Sequence, residues 1–228
     1  MTVLSCRRLT RRYVRQGTEP VMAVDAVDLD LVAGSFIAIE GPSGSGKTTL
    51  LGLLAGLEAA DEGQIVIMGH DLAHLSGTDR ARLRQRQVGI VFQSFGLITS
   101  LRAWENVALP LMLAGASPSE RRRRALAVLE EVGLGGAADA RIDELSGGER
   151  QRVGVARALV IEPTIILADE PTGSLDERNA AGVLVLLTDA VRRRGASLVL
   201  VTHDPASASL ADQRYRMFDG RLSLGVSA

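Results

Sequence analysis

The sequence predicts an α/β fold: a mostly parallel sheet flanked by helices, with a small antiparallel flank and a helical subdomain. Three observations carry that expectation. Short apolar runs bounded by turn residues alternate with helical patterns along most of the chain. Four of those runs pass straight into polar residues, at Gly41, Gln93, Asp169-Glu170 and His203-Asp204. A strand-poor, helical stretch over residues 94–160 interrupts the alternation.

The elements follow in chain order. Residues 3–32 and 63–69 contain short runs such as Gln64-Ile65-Val66-Ile67-Met68 closed by Gly69, the expected antiparallel flank. Ser35–Glu40 reads as a strand and Thr48–Leu57 as the helix after it, with Val88–Phe92 the next strand. In the helical stretch, Ser117-Pro118-Ser119-Glu120 offers a capping Ser, a Pro at the first helical position and a Glu in the first turn, ahead of a helix over Arg121–Gly133. A second cap, Ser146 to Glu149, opens a helix over Arg150–Val160. Strands over Thr164–Ala168, Ser197–Thr202 and Arg214–Phe218 complete the sheet. The chain therefore reads as one domain, with 1–93 and 161–228 forming a core and 94–160 a helical subdomain. In open α/β sheets ligands bind beyond the carboxyl ends of the strands, so the four polar groups are expected to converge on one crevice.

Composition narrows the function. The 228 residues carry 26 Lys+Arg against 27 Asp+Glu, a formal charge of −1, so no basic footprint points to nucleic acid. Of the 26 basic residues 25 are Arg and one, Lys47, is Lys. Cys6 is the one cysteine, which excludes an internal disulfide and fits a reducing compartment. A mean hydropathy of +0.15 raises the question of a membrane span. No run approaches the roughly 18 apolar residues a span needs. The stretch Val107–Ala116 carries Pro110 and Gly115 and reads as buried or partner-facing. The first eight residues place their charges after the apolar ones, unlike a secretory leader. A cytoplasmic protein is expected, reaching a membrane through a partner.

Gly41-Pro42-Ser43-Gly44-Ser45-Gly46-Lys47-Thr48 fits the phosphate-binding loop of P-loop NTPases, and it stands where that loop must, between a strand and a helix. Glycines let backbone N–H groups turn inward around phosphate oxygens, and the helix start adds partial positive charge. Lys47 is expected to reach the β- and γ-phosphates and the Thr48 hydroxyl to ligate Mg²⁺. The strand ending in Asp169-Glu170 supplies a carboxylate for Mg²⁺ at Asp169 and a base or water-orienting group at Glu170. Leu145-Ser146-Gly147-Gly148-Glu149 is in part a Ser-x-x-Glu capping box. Its two glycines are not needed for a cap, and they expose backbone N–H groups at a positive helix end, a second anion site. One nucleotide does not need two cradles from one chain. Either the chain binds two anions or two chains share each nucleotide.

Taken in order, the loop at 41–48, Gln93, Leu145–Glu149, the run Asp169-Glu170-Pro171-Thr172-Gly173-Ser174-Leu175-Asp176 and His203 resemble the motifs of the ATP-binding-cassette ATPases, over about three quarters of the chain. The resemblance implies a head-to-tail homodimer that sandwiches ATP between the phosphate loop of one subunit and Ser146, Gly147, Gly148 and Glu149 of the other. It extends the phosphate-binding set through Thr49. It makes Gln93 the residue that touches Mg²⁺ and the attacking water and senses a permease. His203 resembles the switch histidine on the γ-phosphate, and Tyr13, in Arg11-Arg12-Tyr13-Val14-Arg15, stands where an aromatic stacks on adenine. Glu170, His203, Lys47 and Gln93 are thus the expected catalytic residues.

The implied activity is a Mg²⁺-dependent ATPase that drives a separate integral-membrane permease docked near Gln93–Glu105, peripheral on the inner face of the membrane. The runs at 101–111 and 168–176 resemble the lipoprotein-release and macrolide-export branch, although Ser174 stands where that branch commonly has Asn. An alternative with the same nucleotide site is a mechanotransmitting ATPase whose membrane partner moves no substrate. Arg121–Arg124 reads as a solvated helix face, with anionic lipid the alternative. His70 and His74 have a metal-like spacing but no helix signal and no third ligand.

Overall fold

A computed structural model describes residues 1–14 and 20–225. Arg15, at the end of the run around Tyr13, lies outside them. The chain divides into two compact units, Met1–Arg84 with Ser197–Ala228, and Gln85–Ala196.

The first unit opens with two long strands, β1 (Thr2–Tyr13) and β2 (Val21–Val32), both mixing apolar and charged residues. Alternation puts Leu4 and Cys6 of β1 and Val27, Leu29 and Leu31 of β2 on a buried face, and Arg7, Asp28 and Asp30 toward solvent, while Leu9, three residues after Cys6, is buried beyond a slip in register. Next come β3 (Phe36–Glu40), α1 (Lys47–Leu54), β4 (Glu62–Ile67) and β5 (His70–Asp71). Strands β2, β1, β4 and β5 form, in that order, a four-stranded antiparallel sheet. The β1–β2 pairing slips where Arg8 and Ala26 take positive φ, and the Arg8 N–H finds the Asp28 carboxylate at 2.7 Å.

Near the end of the chain lie β8 (Ser197–Thr202), α7 (Pro205–Ala208), β9 (Gln213–Phe218) and β10 (Arg221–Leu224). Strand β3 pairs in parallel with both β8 and β9, and β10 runs antiparallel to β9. Every residue of β8 is buried, as expected of a parallel strand covered on both faces. Glu40 of β3 stands opposite Thr202 of β8, so the loop from Gly41 and His203 leave neighbouring strands at the same end.

Helix α2 (Gly77–Gln87) carries the chain across the division between the units and buries none of its residues. In the second unit β6 (Val88–Val91) pairs in parallel with β7 (Ile165–Asp169), Val91 opposite Ala168. Gln93 and Glu170 therefore also follow neighbouring strand ends. Helices α3 (Ala103–Leu113), α4 (Pro118–Glu131), α5 (Gly147–Leu159) and α6 (Glu177–Arg194) build the rest around Val107, Leu111, Leu129, Val153, Val155 and Leu159. Helix α5 lies so close to β6 that a Cβ at Gly89 would stand 2.5 Å from the Ala158 carbonyl oxygen. The second unit holds both strands and α6 together with the helices, so it extends beyond residues 94–160. Among the described residues no helix is long and apolar enough to cross a membrane.

Candidate functional site

The loop from Gly41 to Gly46 is shaped by what lies beneath it. A Cβ on Gly46, whose φ is 103°, would stand 2.0 Å from the Ala23 carbonyl oxygen, and one on Gly41 would stand 2.2 Å from that of Met217. Only glycine fits at either position. The Ser45 N–H donates to the Pro42 carbonyl and the Gly220 N–H to the Ser45 carbonyl, so the turn is fastened at its base. The Ser45 hydroxyl is buried with no hydrogen-bond partner among the described residues. Pro42, Ser43, Gly44 and Thr48 are exposed, whereas Lys47 is only 6% accessible. Its ammonium donates to the carbonyls of Gly41 at 2.8 Å and Pro42 at 3.0 Å, which folds the side chain back along the loop. Helix α1 begins here without a side-chain cap and without an acidic residue in its first turn, leaving its positive end to an incoming anion. Thr49 is half-buried one residue further on.

His203 is exposed just after β8, between two anchored neighbours. The Thr202 hydroxyl accepts from the Asp204 N–H at 3.0 Å, and Asp204 in turn caps α7. The Ser207 hydroxyl, and after it two backbone N–H groups, hold the Asp204 carboxyl below the usual carboxylate range.

In the second unit Asp169 closes β7 and is 8% accessible, with Glu170 next to it at 9%. Glu170 has φ 45°, a left-handed conformation that costs a non-glycine residue energy and is held where the surroundings impose it. The Gly173 N–H donates to the Glu170 carbonyl at 3.0 Å, closing the turn beyond it. Gln93 reaches the same segment: its Nε2 lies 3.4 Å from where a Gly173 Cβ would stand, and its carbonyl accepts from the Ser174 hydroxyl at 3.5 Å.

The run Ser146–Glu149 forms the capping box in full. The Ser146 hydroxyl accepts from the Glu149 N–H, and the Glu149 carboxylate accepts from both the Ser146 N–H at 2.8 Å and its hydroxyl at 2.7 Å. Gly147 and Gly148 open α5 between them. A Cβ on Gly148 would stand 2.8 Å from the Asn179 Oδ1, so a side chain there would have to displace Asn179. In the first unit Tyr13 ends β1, 36% exposed, with its hydroxyl donating to Glu58.

Three positioning residues escaped the sequence reading. Arg157 of α5, its guanidinium pK lowered by burial, donates to the carbonyls of Phe95 and Gly96, both of which have positive φ. Gln151, fully buried on the same helix, donates to the Phe92 carbonyl at 3.4 Å. Helix α5, which starts at the glycine pair, thus grips the loop on both sides of Gln93. Asn106, fully buried in α3, accepts from the Ile98 N–H and donates to the carbonyls of Ile98, Leu101 and Arg102, fixing the stretch after that loop. A polar residue inside an otherwise apolar helical pattern was the available signal. Three members of the arginine run have partners: Arg122 pairs with Asp139 and lies over Trp104, Arg123 pairs with Glu120, and Arg124 pairs with Glu162.

Residues 24–173 match the ABC transporter family. The chain is 42% identical over 221 residues to the lipoprotein-releasing system ATP-binding protein LolD of Chromohalobacter salexigens, spanning 97% of this chain and 93% of the relative. It is 43% identical over 220 residues to LolD of Alcanivorax borkumensis, spanning 96% of both. A dimeric post-hydrolysis structure of the ATP-binding cassette MJ0796 with ADP and Pi superposes with a TM-score of 0.89 at 35% identity, covering 99% of this chain and all of that one. A second dimeric structure of that bacterial ABC transporter cassette also gives 0.89, at 37% identity over 96% of each chain. With both its units spanned by such relatives, this chain belongs to the ABC transporter family.

Proposed function

We propose that the chain is the ATP-hydrolysing subunit of a lipoprotein-release type exporter, energising a separate membrane permease from the cytoplasmic face. The observation that carries the ATPase reading is the loop at Gly41–Thr48, a turn that admits only glycine at 41 and 46, under an uncapped helix start with a buried lysine. The kind of cargo rests on the full-length likeness to the two LolD proteins.

In this reading the N–H groups of the loop and of Thr48 and Thr49 take the phosphates, and Lys47 exchanges its contacts with the Gly41 and Pro42 carbonyls for β- and γ-phosphate oxygens. The Thr48 hydroxyl and the Asp169 carboxylate are the hard oxygen donors that would hold Mg²⁺. When bound, Mg²⁺ neutralises charge on the transferred phosphoryl group. Glu170 accepts a proton from the attacking water, Gln93 orients that water, and His203 donates to the γ-phosphate. Ser146, Gly147 and Gly148 present α5 to the triphosphate held by a second copy, with Tyr13 stacking on adenine.

Reconstitution with the permease tests this. ATP-dependent lipoprotein release from proteoliposomes is expected, and hydrolysis without release would favour a subunit that only transmits force or signal.

A further inference from the structure

The end of β1 is tied by successive residues to one short acidic segment. The Arg12 N–H donates to the Asp61 carboxylate at 2.6 Å and its guanidinium pairs with Glu62 at 2.7 Å. Arg11 pairs with Asp61 at 3.0 Å, and its Nε lies 3.7 Å from Glu58 Oε2. The Tyr13 hydroxyl donates to that same Glu58 Oε2 at 2.5 Å, while the Arg11 guanidinium lies 5.0 Å from the ring centroid. The ring is therefore held by its tip and flanked on one face by a cation.

Glu58 is itself held by the helix that carries the phosphate loop. Helix α1 ends at Leu54, Gly56 turns with φ 64°, and the N–H groups of Leu57 and Glu58 both return to the Gly52 carbonyl. Gly52 offers no side chain, and the Glu58 carboxylate fills that side: a Cβ there would stand 3.2 Å from its Oε1. One rigid helix thus fixes the phosphate loop at its start and the anchor of Tyr13 just beyond its end.

We propose that Glu58, seconded by Arg11, is a positioning residue for base recognition: it locks the Tyr13 ring in the orientation that receives a purine, so the ordering cost is met before the nucleotide arrives. This rests on the reading of Tyr13 as the adenine platform. A two-torsion aromatic left unanchored loses its rotamer freedom on binding, which weakens association by about 3- to 10-fold.

The test compares Kd for ATP with Kd for inorganic tripolyphosphate on the full chain. Glu58→Ala and Tyr13→Phe are each expected to weaken ATP about 3- to 10-fold, with tripolyphosphate unchanged because it has no base. Combining them is expected to add nothing, since both break one bond. Glu58→Gln, which keeps an acceptor oxygen, is expected to restore most of the affinity. Tyr13→Ala that leaves ATP affinity unchanged would overturn the platform reading and this proposal with it. A weakened Tyr13→Ala beside unaffected Glu58→Ala and Tyr13→Phe would overturn the positioning role alone. Should Glu58→Ala fail to fold, Tyr13→Phe decides by itself. Equal loss for ATP and tripolyphosphate would mark Glu58 as a support of α1 and also overturn the proposal.

Discussion

Ser146 and Glu149 satisfy each other at the start of α5: hydroxyl to N–H in one direction, N–H and hydroxyl to carboxylate in the other. The Ser146 hydroxyl and N–H both favour the ionised acid and hold the Glu149 carboxyl below its ordinary value of 4.5. A lowered folded value means stability that is present above the unfolded pKa and lost as pH falls through the folded one. Ser146→Ala is expected to destabilise the chain by about 1 kcal/mol at neutral pH, with the difference from wild type shrinking in acid. Urea midpoints at several pH values check this, and a difference that does not change with pH would rule out the carboxylate's part.

The same serine serves a second test, of sharing between subunits. Ser146→Arg spoils the signature and Lys47→Ala the phosphate loop, so each variant alone is expected to be inactive. In a two-fold dimer each mixed pair keeps one intact composite site, and random mixing leaves about a quarter of the wild-type sites. An inactive mixture would argue that each nucleotide is served by one chain.

Glu170→Gln keeps the size and shape of the side chain and removes the base. Turnover is expected to fall by about 10²- to 10⁴-fold while ATP still binds, and a dimer is expected to accumulate in size-exclusion chromatography with ATP. Near-normal turnover would remove Glu170 from the chemistry. Glu170→Val tests the backbone separately: a β-branched residue at φ 45° is expected to lower the melting temperature.

Lys47→Arg keeps the charge and is still expected to fail. The Lys47 ammonium meets two loop carbonyls in a 6% accessible slot where a planar guanidinium has no matching room. With charge-assisted bonds worth about 1.5–3 kcal/mol each, displacement from the phosphates is expected to weaken ATP at least about tenfold. Unchanged affinity would mean that the contrast with 25 arginines is accidental.

Cys6 offers a probe of the β1–β2 sheet. Its thiol lies 3.7 Å from the Val27 carbonyl, and burial pushes it up from 9.0 to about 12. The unfolded thiol ionises first, so this group's contribution is intact below pH 9 and is lost as pH climbs from about 9 to about 12. Native protein in mildly alkaline buffer is expected to resist iodoacetamide, and denatured protein to react. Rapid native labelling would show that the sheet opens.

Where hydrophobic pattern and turn chemistry agreed, the fold was legible. Ser197–Thr202 is the strand observed, and the Ser117 cap with Pro118 opens α4. The expected helix Thr48–Leu57 stops three residues early, at Leu54, where Gly56 then turns left-handed. Strands β1 and β2 run to 12 residues each, longer than their apolar content suggested, with exposed pairs such as Arg7–Asp30 on their outer face. Helix α2 buries nothing and so left no periodic trace. The places of the candidate residues in the fold were legible where each ends or follows a strand or opens a helix. Two of the clamps were not: Gln151 and Arg157 act through long-range bonds to backbone carbonyls, and nothing local records which way such a side chain turns.

Lysine 47 has a use outside catalysis. With one ε-amine in 228 residues, any amine-directed reagent or lysine-specific protease that touches a side chain or cuts beside one has a single internal address. That address lies inside the phosphate loop, its nitrogen occupied by the Gly41 and Pro42 carbonyls. The kinetics of modification at this one amine, followed by mass spectrometry with and without nucleotide, therefore form an intrinsic clock for the opening and filling of the loop.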